Sequence, residues 1–351
     1  MSSSAESSSN YWQPHVTADG SATFLSPDFG EHFHSLHGAW DEALVKFVEP
    51  TQLVARARAQ TLQERPRIRI LDVCYGLGYN SAAALAVIWS IAPQCSVELV
   101  GLELDPSVVI AALPKITDQL RRIKGTIIPV GAVEHYSTAK FSTAAVERTI
   151  EVLSRLAQPG ERQTTYDTVH FHGRLCWGDA RQSIQAVADN RSASNAASSE
   201  KFDAIFLDPF SPPQCPQLWT IEFLGHLAQC LAPRGYLATY SCAAAIRAGL
   251  MRSGLSVGAS PPFGRRWPGT VAAYPNDGTC AHLPKLSPQE LEHLQTRAAV
   301  PYRDRHGTDH REIILERRRQ EQSQCDLEPT SRWKRRWFGD CRASHKKAST
   351  P

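Results

Sequence analysis

Asp208 stands at the end of the apolar run Phe202–Leu207 and is followed at once by Pro209-Phe210-Ser211-Pro212-Pro213. An amine must shed its proton before its lone pair can attack an electrophilic carbon, and a carboxylate in this position can accept or hold that proton. The prolines stiffen the loop, and Phe210 offers a ring to a planar base; a proline-rich turn capped by Asp208 is the other reading. Far upstream, Ile70-Leu71-Asp72-Val73-Cys74-Tyr75-Gly76-Leu77-Gly78-Tyr79-Asn80 is an apolar run that closes in a glycine turn before an Ala-rich segment. Glycines at 76 and 78 let the backbone turn sharply and approach a ligand, and the next helix presents unpaired N–H groups towards it. The pattern predicts the first strand, turn and helix of a nucleotide-cofactor domain, with a turn that uses glycine for packing alone as its alternative. A dinucleotide fingerprint would need a third glycine at 81, where Ser81 stands.

Two further acids follow apolar runs. Glu103 lies about one βαβ length beyond the glycines, where an acid can accept hydrogen bonds from two ribose hydroxyls; a surface or capping role is the alternative. Asp179 follows Trp177-Gly178 and can accept from an adenine amino group, or cap the helix expected over 180–187. His32-x-His34-x-x-His37 and His170-x-His172 have no companion cluster of acids or cysteines, so no metal site is expected.

These stations need a scaffold. The 351 residues suffice for one large α/β domain with extensions, or for two modest domains, and the net charge of +3 is mild. The charge is uneven: from Arg311 onward basic residues outnumber acids, with Arg317-Arg318-Arg319 and Trp333-Lys334-Arg335-Arg336-Trp337-Phe338 prominent. A basic stretch interleaved with aromatics can follow a phosphate backbone and stack on bases, or can be a solvated tail. Nine cysteines without a C-x-x-C pair read as reduced residues of a cytoplasmic protein. The Ser-rich start lacks a signal-peptide core and reads as a disordered leader over 1–15. The longest apolar stretch, 82–92, is too short to span a bilayer, so no membrane association is expected.

Asp19-Gly20 predicts a hairpin within 17–24, and a helix follows over about 39–56, so that 16–62 forms an N-terminal hairpin and helix. Strands are expected at 96–102, 168–177, 202–207 and 235–240, with helices at 219–231 and 243–253 and a closing hairpin at 254–258 and 269–274. A helical insertion is expected over about 106–165, notably 143–157. Repeated βα units imply an α/β fold with a doubly wound, mainly parallel sheet over 63–320, whose ligand lies at the C-terminal strand ends. Residues 321–351 read as a disordered basic tail.

The pattern Asp72-x-x-x-Gly76-x-Gly78-x-Asn80 resembles class I S-adenosylmethionine methyltransferases, whose cofactor has no phosphate, so that the turn cradles its methionine part. Asp208-Pro209-Phe210 resembles the D/N-P-P-aromatic element of methyltransferases that act on amino nitrogens. More specifically, Phe206-Leu207-Asp208-Pro209-Phe210-Ser211-Pro212 with Pro216 and Trp219 is similar to the F-L-D-G-F-A-P…N-P-x-x-W signature of the MnmC methyltransferase family of tRNA 5-methylaminomethyl-2-thiouridine biosynthesis. Arg234–Tyr240, then Ile246–Leu250 and Phe263-Gly264-Arg265-Arg266, follow the family order in its C-terminal half, and Gly30-Glu31-His32-Phe33-His34-Ser35 with Gly38-Ala39 and Glu42 resembles its N-terminal hairpin and helix, so the likeness covers about 16–275. Pro209, Ser211 and Leu77 stand where the family usually has glycine, alanine and threonine.

This resemblance implies a Rossmann-like class I fold, S-adenosylmethionine as cofactor, and methyl transfer to the aminomethyl nitrogen on the wobble uridine of tRNA, with tRNA bound near its anticodon. It implies Asp208 as proton acceptor. Asp72, Tyr75, Gly76, Gly78 and Asn80 would surround the methionine part, while Glu103 and Asp179 hold ribose and adenine. His34, Pro209, Phe210 and Tyr240 would face the substrate, and Arg247, Arg265 and Arg266 its phosphates. The bifunctional members continue into a flavin-dependent oxidase, so this chain is expected to be a stand-alone methyltransferase without flavin or metal. Two alternatives stay open: an aminopropyltransferase of the polyamine type, and a non-catalytic RNA-binding protein on the same fold.

Overall fold

The structure, a computed structural model, describes residues 11–129, 139–189, 201–264, 266–275 and 283–339. The chain enters through a short hairpin, Pro14–Val16 (β1) against Ala22–Phe24 (β2). Asp19 in its turn accepts hydrogen bonds from Thr17 and Ser21, and its other oxygen accepts the Asp41 N–H at 3.0 Å. One carboxylate thus fixes the hairpin to the next element, Ala39–Ala43 (α1), which runs on as a π-helical turn, Leu44–Val48. The helix expected over 39–56 is broken at Gln52, whose φ of 57° ends one segment before Leu53–Gln60 (α2) begins.

The sheet starts with Arg67–Val73 (β3), followed by Tyr79–Ile91 (α3), Ser96–Glu103 (β4), Pro106–Ile123 (α4) and Thr143–Leu156 (α5). Gln163–Thr168 (β5), Phe171–Trp177 (β6), Ala180–Asp189 (α6), Phe202–Leu207 (β7), Ile221–Cys230 (α7), Leu231–Thr239 (β8) and Ala244–Arg252 (α8) come next. The hairpin Ser256–Ser260 (β9) and Gly269–Ala273 (β10) precedes Pro288–His293 (α9), Arg311–Gln324 (α10) and Thr330–Phe338 (α11).

The strand order is β5-β6-β4-β3-β7-β8-β10-β9. The five central strands from β6 to β8 are parallel, while β5, and β10 against both its neighbours, pair antiparallel. Successive residues of a strand face opposite sides, so Ile68 and Ile70 enter one core with α3 and α5, while Leu71 and Val73 enter the other with α6, α7 and α8. Apolar nearly all round, α3 is buried along its length because α1, α2 and α5 cover the side turned away from the sheet. Its run of alanines lets those neighbours approach closely.

Three expectations change. Within 106–165, α4 is the crossover helix of the β4–β6 unit, and 163–168 is an edge strand: its threonines and tyrosine suit a pleated surface paired to β6. Residues 321–338 are not a free tail. They carry the end of α10 and all of α11, whose Trp333 is buried, stacked on His293 at 4.0 Å and hydrogen-bonded to the Gln289 carbonyl. At the N-terminus, Trp12 stacks on Phe24 at 6.1 Å and donates to Ser107 Oγ, so residues 11–15 belong to the folded part; 1–10 and 340–351 lie outside the described residues. Among the described residues no helix is long and apolar enough to cross a membrane.

Candidate active site

The C-terminal ends of β3, β4, β6 and β7 open into a cavity of about 540 Å³ whose wall includes Gly76, Glu103, Asp179 and Asp208. The N-terminal hairpin region closes its other side through Phe29, Glu31, Phe33 and His34. Four stations separated by more than 130 residues in sequence therefore meet because parallel strands deliver every following loop to the same edge.

At the first station the strand ends in strain. Cys74, a non-glycine residue, holds φ 63°, and Gly76 and Gly78 follow at φ 54° and 86°. The ring of Tyr75 folds back between Gly78 and Gly101, where an added Cβ would come within 2.8 Å and 3.0 Å of it. Glycine at 78 and at 101 thus makes room for this tyrosine. The Gly76 N–H donates to Glu103 Oε2 at 2.7 Å, and the Asp105 N–H donates to Oε1 at 2.9 Å. Burial pushes the Glu103 carboxyl above its usual range, against the pull of these backbone donors.

Asp72 and Tyr75 do not reach the cavity, contrary to the roles the resemblance gives them. Asp72 is fully buried beneath the turn; its Oδ2 accepts from Ser81 Oγ at 2.6 Å, while Oδ1 has no hydrogen-bond partner among the described residues. Burial raises its carboxyl to about 7. Tyr75 is buried against the glycines described above. Both residues shape the turn from behind. Gly78 and Asn80 likewise open α3 without lining the wall: Gly78 is its left-handed cap and Asn80 lies in its first turn.

Asp179 fulfils the capping alternative, because its Oδ1 accepts the Arg181 N–H at 2.8 Å, and both its oxygens accept from the Arg181 guanidinium. Arg181 is held in turn by Asp304 Oδ2 at 2.8 Å and the Asp309 carbonyl. The carboxylate remains on the cavity wall.

Asp208 leaves β7 with its N–H bonded to the Val73 carbonyl, and its Oδ2 accepts from Asn80 Nδ2 at 2.9 Å. The loop behind it is held at three successive residues, Pro209, Phe210 and Ser211. Tyr240 donates its hydroxyl to the Pro209 carbonyl, and Trp219 donates Nε1 to that of Phe210. Glu31 accepts the Ser211 N–H at 2.8 Å and the Ser211 hydroxyl at 2.5 Å. Phe29 stacks on Phe210 at 4.5 Å, and Phe33 meets it edge-on at 5.0 Å. The Phe210 ring expected to receive a base is thus itself held by two aromatics and anchors the loop. Glu31, Phe29, Phe33 and Trp219 carry no assigned role in the sequence reading. Three of them, Glu31, Phe33 and Trp219, fall within the Gly30–Ser35 and Pro216–Trp219 segments that carry the resemblance.

His34 lines the cavity, fully desolvated, so that its imidazole is lowered to about 4 and is neutral at physiological pH. Its ring stands edge-on to Tyr79, and Nδ1 lies 3.8 Å from Glu42.

The three arginines assigned to phosphate part company. Arg247 is 2% exposed and donates to Thr270 Oγ1, Glu290 Oε1 and the Gly269 carbonyl. It is an internal brace between α8, β10 and α9, and it has no surface to offer a phosphate. Arg266 is exposed and lies over the Trp267 and Phe338 rings. Arg265 lies outside the described residues. Among the described residues no group of three His, Cys, Asp or Glu gathers as metal ligands.

The carboxylate set and the glycine cradle fit an adenosyl cofactor. Two acids reach the wall from β4 and β6, and the left-handed Gly76 and Gly178 keep Cβ atoms out of it. Comparison with known proteins points the same way. A family described as S-adenosyl-L-methionine-dependent methyltransferase matches residues 136–275. The crystal structure of MnmC2 from Aquifex aeolicus is 30% identical and superposes with a TM-score of 0.66, over 90% of this chain and 86% of that one. The tRNA 5-methylaminomethyl-2-thiouridine biosynthesis bifunctional protein MnmC of Azoarcus sp. strain BH72 is 30% identical over 248 residues, 69% of this chain and 32% of that protein. An uncharacterized protein of Methanocaldococcus jannaschii is 26% identical over 298 residues, 82% of this chain and 66% of its own. The chain spans about a third of the length of the bifunctional relative.

Proposed function

We propose, from the premise that this chain belongs to the MnmC-type S-adenosyl-L-methionine-dependent methyltransferases, that it methylates the aminomethyl nitrogen on the wobble uridine of tRNA. Membership makes it an S-adenosylmethionine-dependent enzyme on a class I methyltransferase fold. The bifunctional relatives are described as proteins of tRNA 5-methylaminomethyl-2-thiouridine biosynthesis, and that supplies the substrate class.

The observation that carries the reading is Asp208, on the cavity wall, steadied by Asn80 and set on a loop clamped by Glu31, Trp219 and Tyr240. An aliphatic amine is mostly ammonium at neutral pH, having a pKa of about 10. Asp208 accepts the proton from that nitrogen and leaves its lone pair directed into the cavity. S-adenosylmethionine, when bound, supplies the electrophilic methyl carbon. Glu103 would accept hydrogen bonds from its ribose hydroxyls and Asp179 from its adenine amino group, while Gly76 leaves room for the methionine part. Phe29 and Phe33 wall the acceptor side and limit water near the base. Arg266 supplies an exposed cation for the phosphates of the anticodon arm.

The test offers both acceptor classes. With labelled S-adenosylmethionine, label should enter tRNA whose wobble uridine carries an unmethylated aminomethyl group. Transfer from the decarboxylated cofactor to a polyamine, with none to tRNA, would replace this reading with the aminopropyl one.

A further inference from the structure

We infer that the face built by Arg266, Trp267 and α11 is the docking surface for the phosphodiester backbone of the substrate RNA outside the modified nucleotide. The inference rests on the proposed RNA substrate and adds the place where the rest of that substrate lies.

The face is preassembled. The Arg266 guanidinium lies 5.5 Å from the Trp267 ring centre and 5.6 Å from that of Phe338, and the two rings meet edge-to-face at 5.6 Å. Beneath them Trp333 contacts Phe338 at 5.5 Å and stacks on His293, which fixes α11 to α9. Trp267 nevertheless remains 39% exposed. Lys334 and Arg335 precede Phe338 by four and three residues, so the helix sets them on the same side as its ring. Both are exposed, and among the described residues neither forms a salt bridge. Arg336 engages the neighbouring acids Glu292 and Glu328, which leaves the charge on this side positive.

The same face adjoins the mouth of the cavity. Gly264, with φ 64°, packs so closely on the rim that an added Cβ would lie 2.7 Å from Ser35 Oγ and 3.2 Å from His37 Cβ. Ser35 and Leu36 belong to the cavity wall. Lys46 ties the start of this segment down by donating to the Pro261 carbonyl at 2.6 Å. A nucleotide seated at Asp208 therefore has its flanking backbone led past Ser35 onto Arg266. Spaced cations beside an exposed indole match the chemistry of an RNA strand, whose phosphates they neutralise and whose bases can stack.

The experiment measures binding of bulk tRNA to the full chain as a function of salt, without methyl transfer. A triple variant, Arg266→Gln, Lys334→Gln and Arg335→Gln, should weaken binding on the order of tenfold at 0.15 M salt. It should also reduce the log–log salt slope by about 2–3, at about 0.7–0.9 per lost phosphate contact. Affinity for S-adenosylmethionine should stay unchanged. Trp267→Ala should weaken binding several-fold at an unchanged slope, and the exposed single change Lys334→Gln keeps the test valid if the triple variant fails to fold. Arg252→Gln, at the exposed end of α8, should match the wild type. Wild-type affinity and slope in the Lys334 and triple variants would overturn the inference while leaving the proposed reaction standing. Wild-type tRNA binding together with no label transferred to tRNA in the separate assay with labelled S-adenosylmethionine would instead remove the reaction, and a wild-type chain that does not bind tRNA would remove both.

Discussion

The side-chain amide of Asn80 donates to Oδ2 of Asp208 at 2.9 Å, joining the first turn of α3 to the end of β7. The residue that follows the cofactor turn thereby orients the proposed base, and the two halves of the site are built as one unit. A charge-assisted hydrogen bond of this kind fixes the carboxylate as an acceptor and limits its rotation.

Asp208→Ala should lower kcat by about 10²–10⁴, the range for loss of a general base, with S-adenosylmethionine affinity retained within about twofold. Asn80→Ala should cost less, because it acts through Asp208. The double variant should be scarcely slower than Asp208→Ala alone, a non-additivity that steady-state kinetics on all four proteins would measure. Additive losses would mean that Asn80 serves the site by another route.

Glu31 holds both donors of Ser211, so Glu31→Ala should release the loop that carries Asp208. We expect kcat to fall and the KM for tRNA to rise, with about 1–3 kcal/mol lost in stability by chemical denaturation. Ser211→Ala, which removes one of the two donors, should have a clearly smaller effect. Equal effects would place the importance of the contact in the hydroxyl alone.

Asp72 sets a stability trend with pH. Its carboxyl is raised to about 7 in the folded state from an ordinary 3.8, so between those values the folded protein binds more protons than the unfolded chain. Its contribution therefore weakens as pH rises from about 4 to about 7, by about 4 kcal/mol in the limit of full ionisation. His34 slopes the other way: lowered from 6.5 to about 4, it favours folding fully above 6.5 and loses that contribution as pH falls towards 4. Asp72→Asn isolates the first term. Its Tm relative to wild type should rise with pH across this window, whereas a constant difference would show that Asp72 does not change protonation on folding.

Arg247→Met tests the brace. Breaking the buried pair with Glu290 should cost about 3–5 kcal/mol, seen as a lowered Tm. At a temperature where the variant is folded, its tRNA salt dependence should equal that of the wild type. A reduced slope would return Arg247 to the substrate surface.

Much of this site could be read from the chain because its signals are local. Ile70 to Gly78 announces strand and turn by apolar run and glycine, and Asp208 follows an apolar strand with prolines behind it. The division of labour inside each motif is set by partners distant in sequence. Asp72 and Tyr75 sit in the same eleven residues as Gly76, yet α3 and Gly101 draw them behind the turn. Arg247 and Arg266 are indistinguishable as letters; Thr270 and Glu290 bury one, and two aromatic rings hold the other at the surface. The order of α11 has the same origin, since its basic composition conceals an aromatic stripe that packs on His293 and Trp267.

Nucleoside mass spectrometry of tRNA from cells unable to methylate aminomethyluridine, after incubation with the purified chain and S-adenosylmethionine, reads the proposed reaction at the modified nucleoside itself. The wild type should convert aminomethyl to methylaminomethyl uridine, and Asp208→Ala should lose that conversion. Cofactor binding without conversion, or conversion that survives Asp208→Ala, would contradict the proposal.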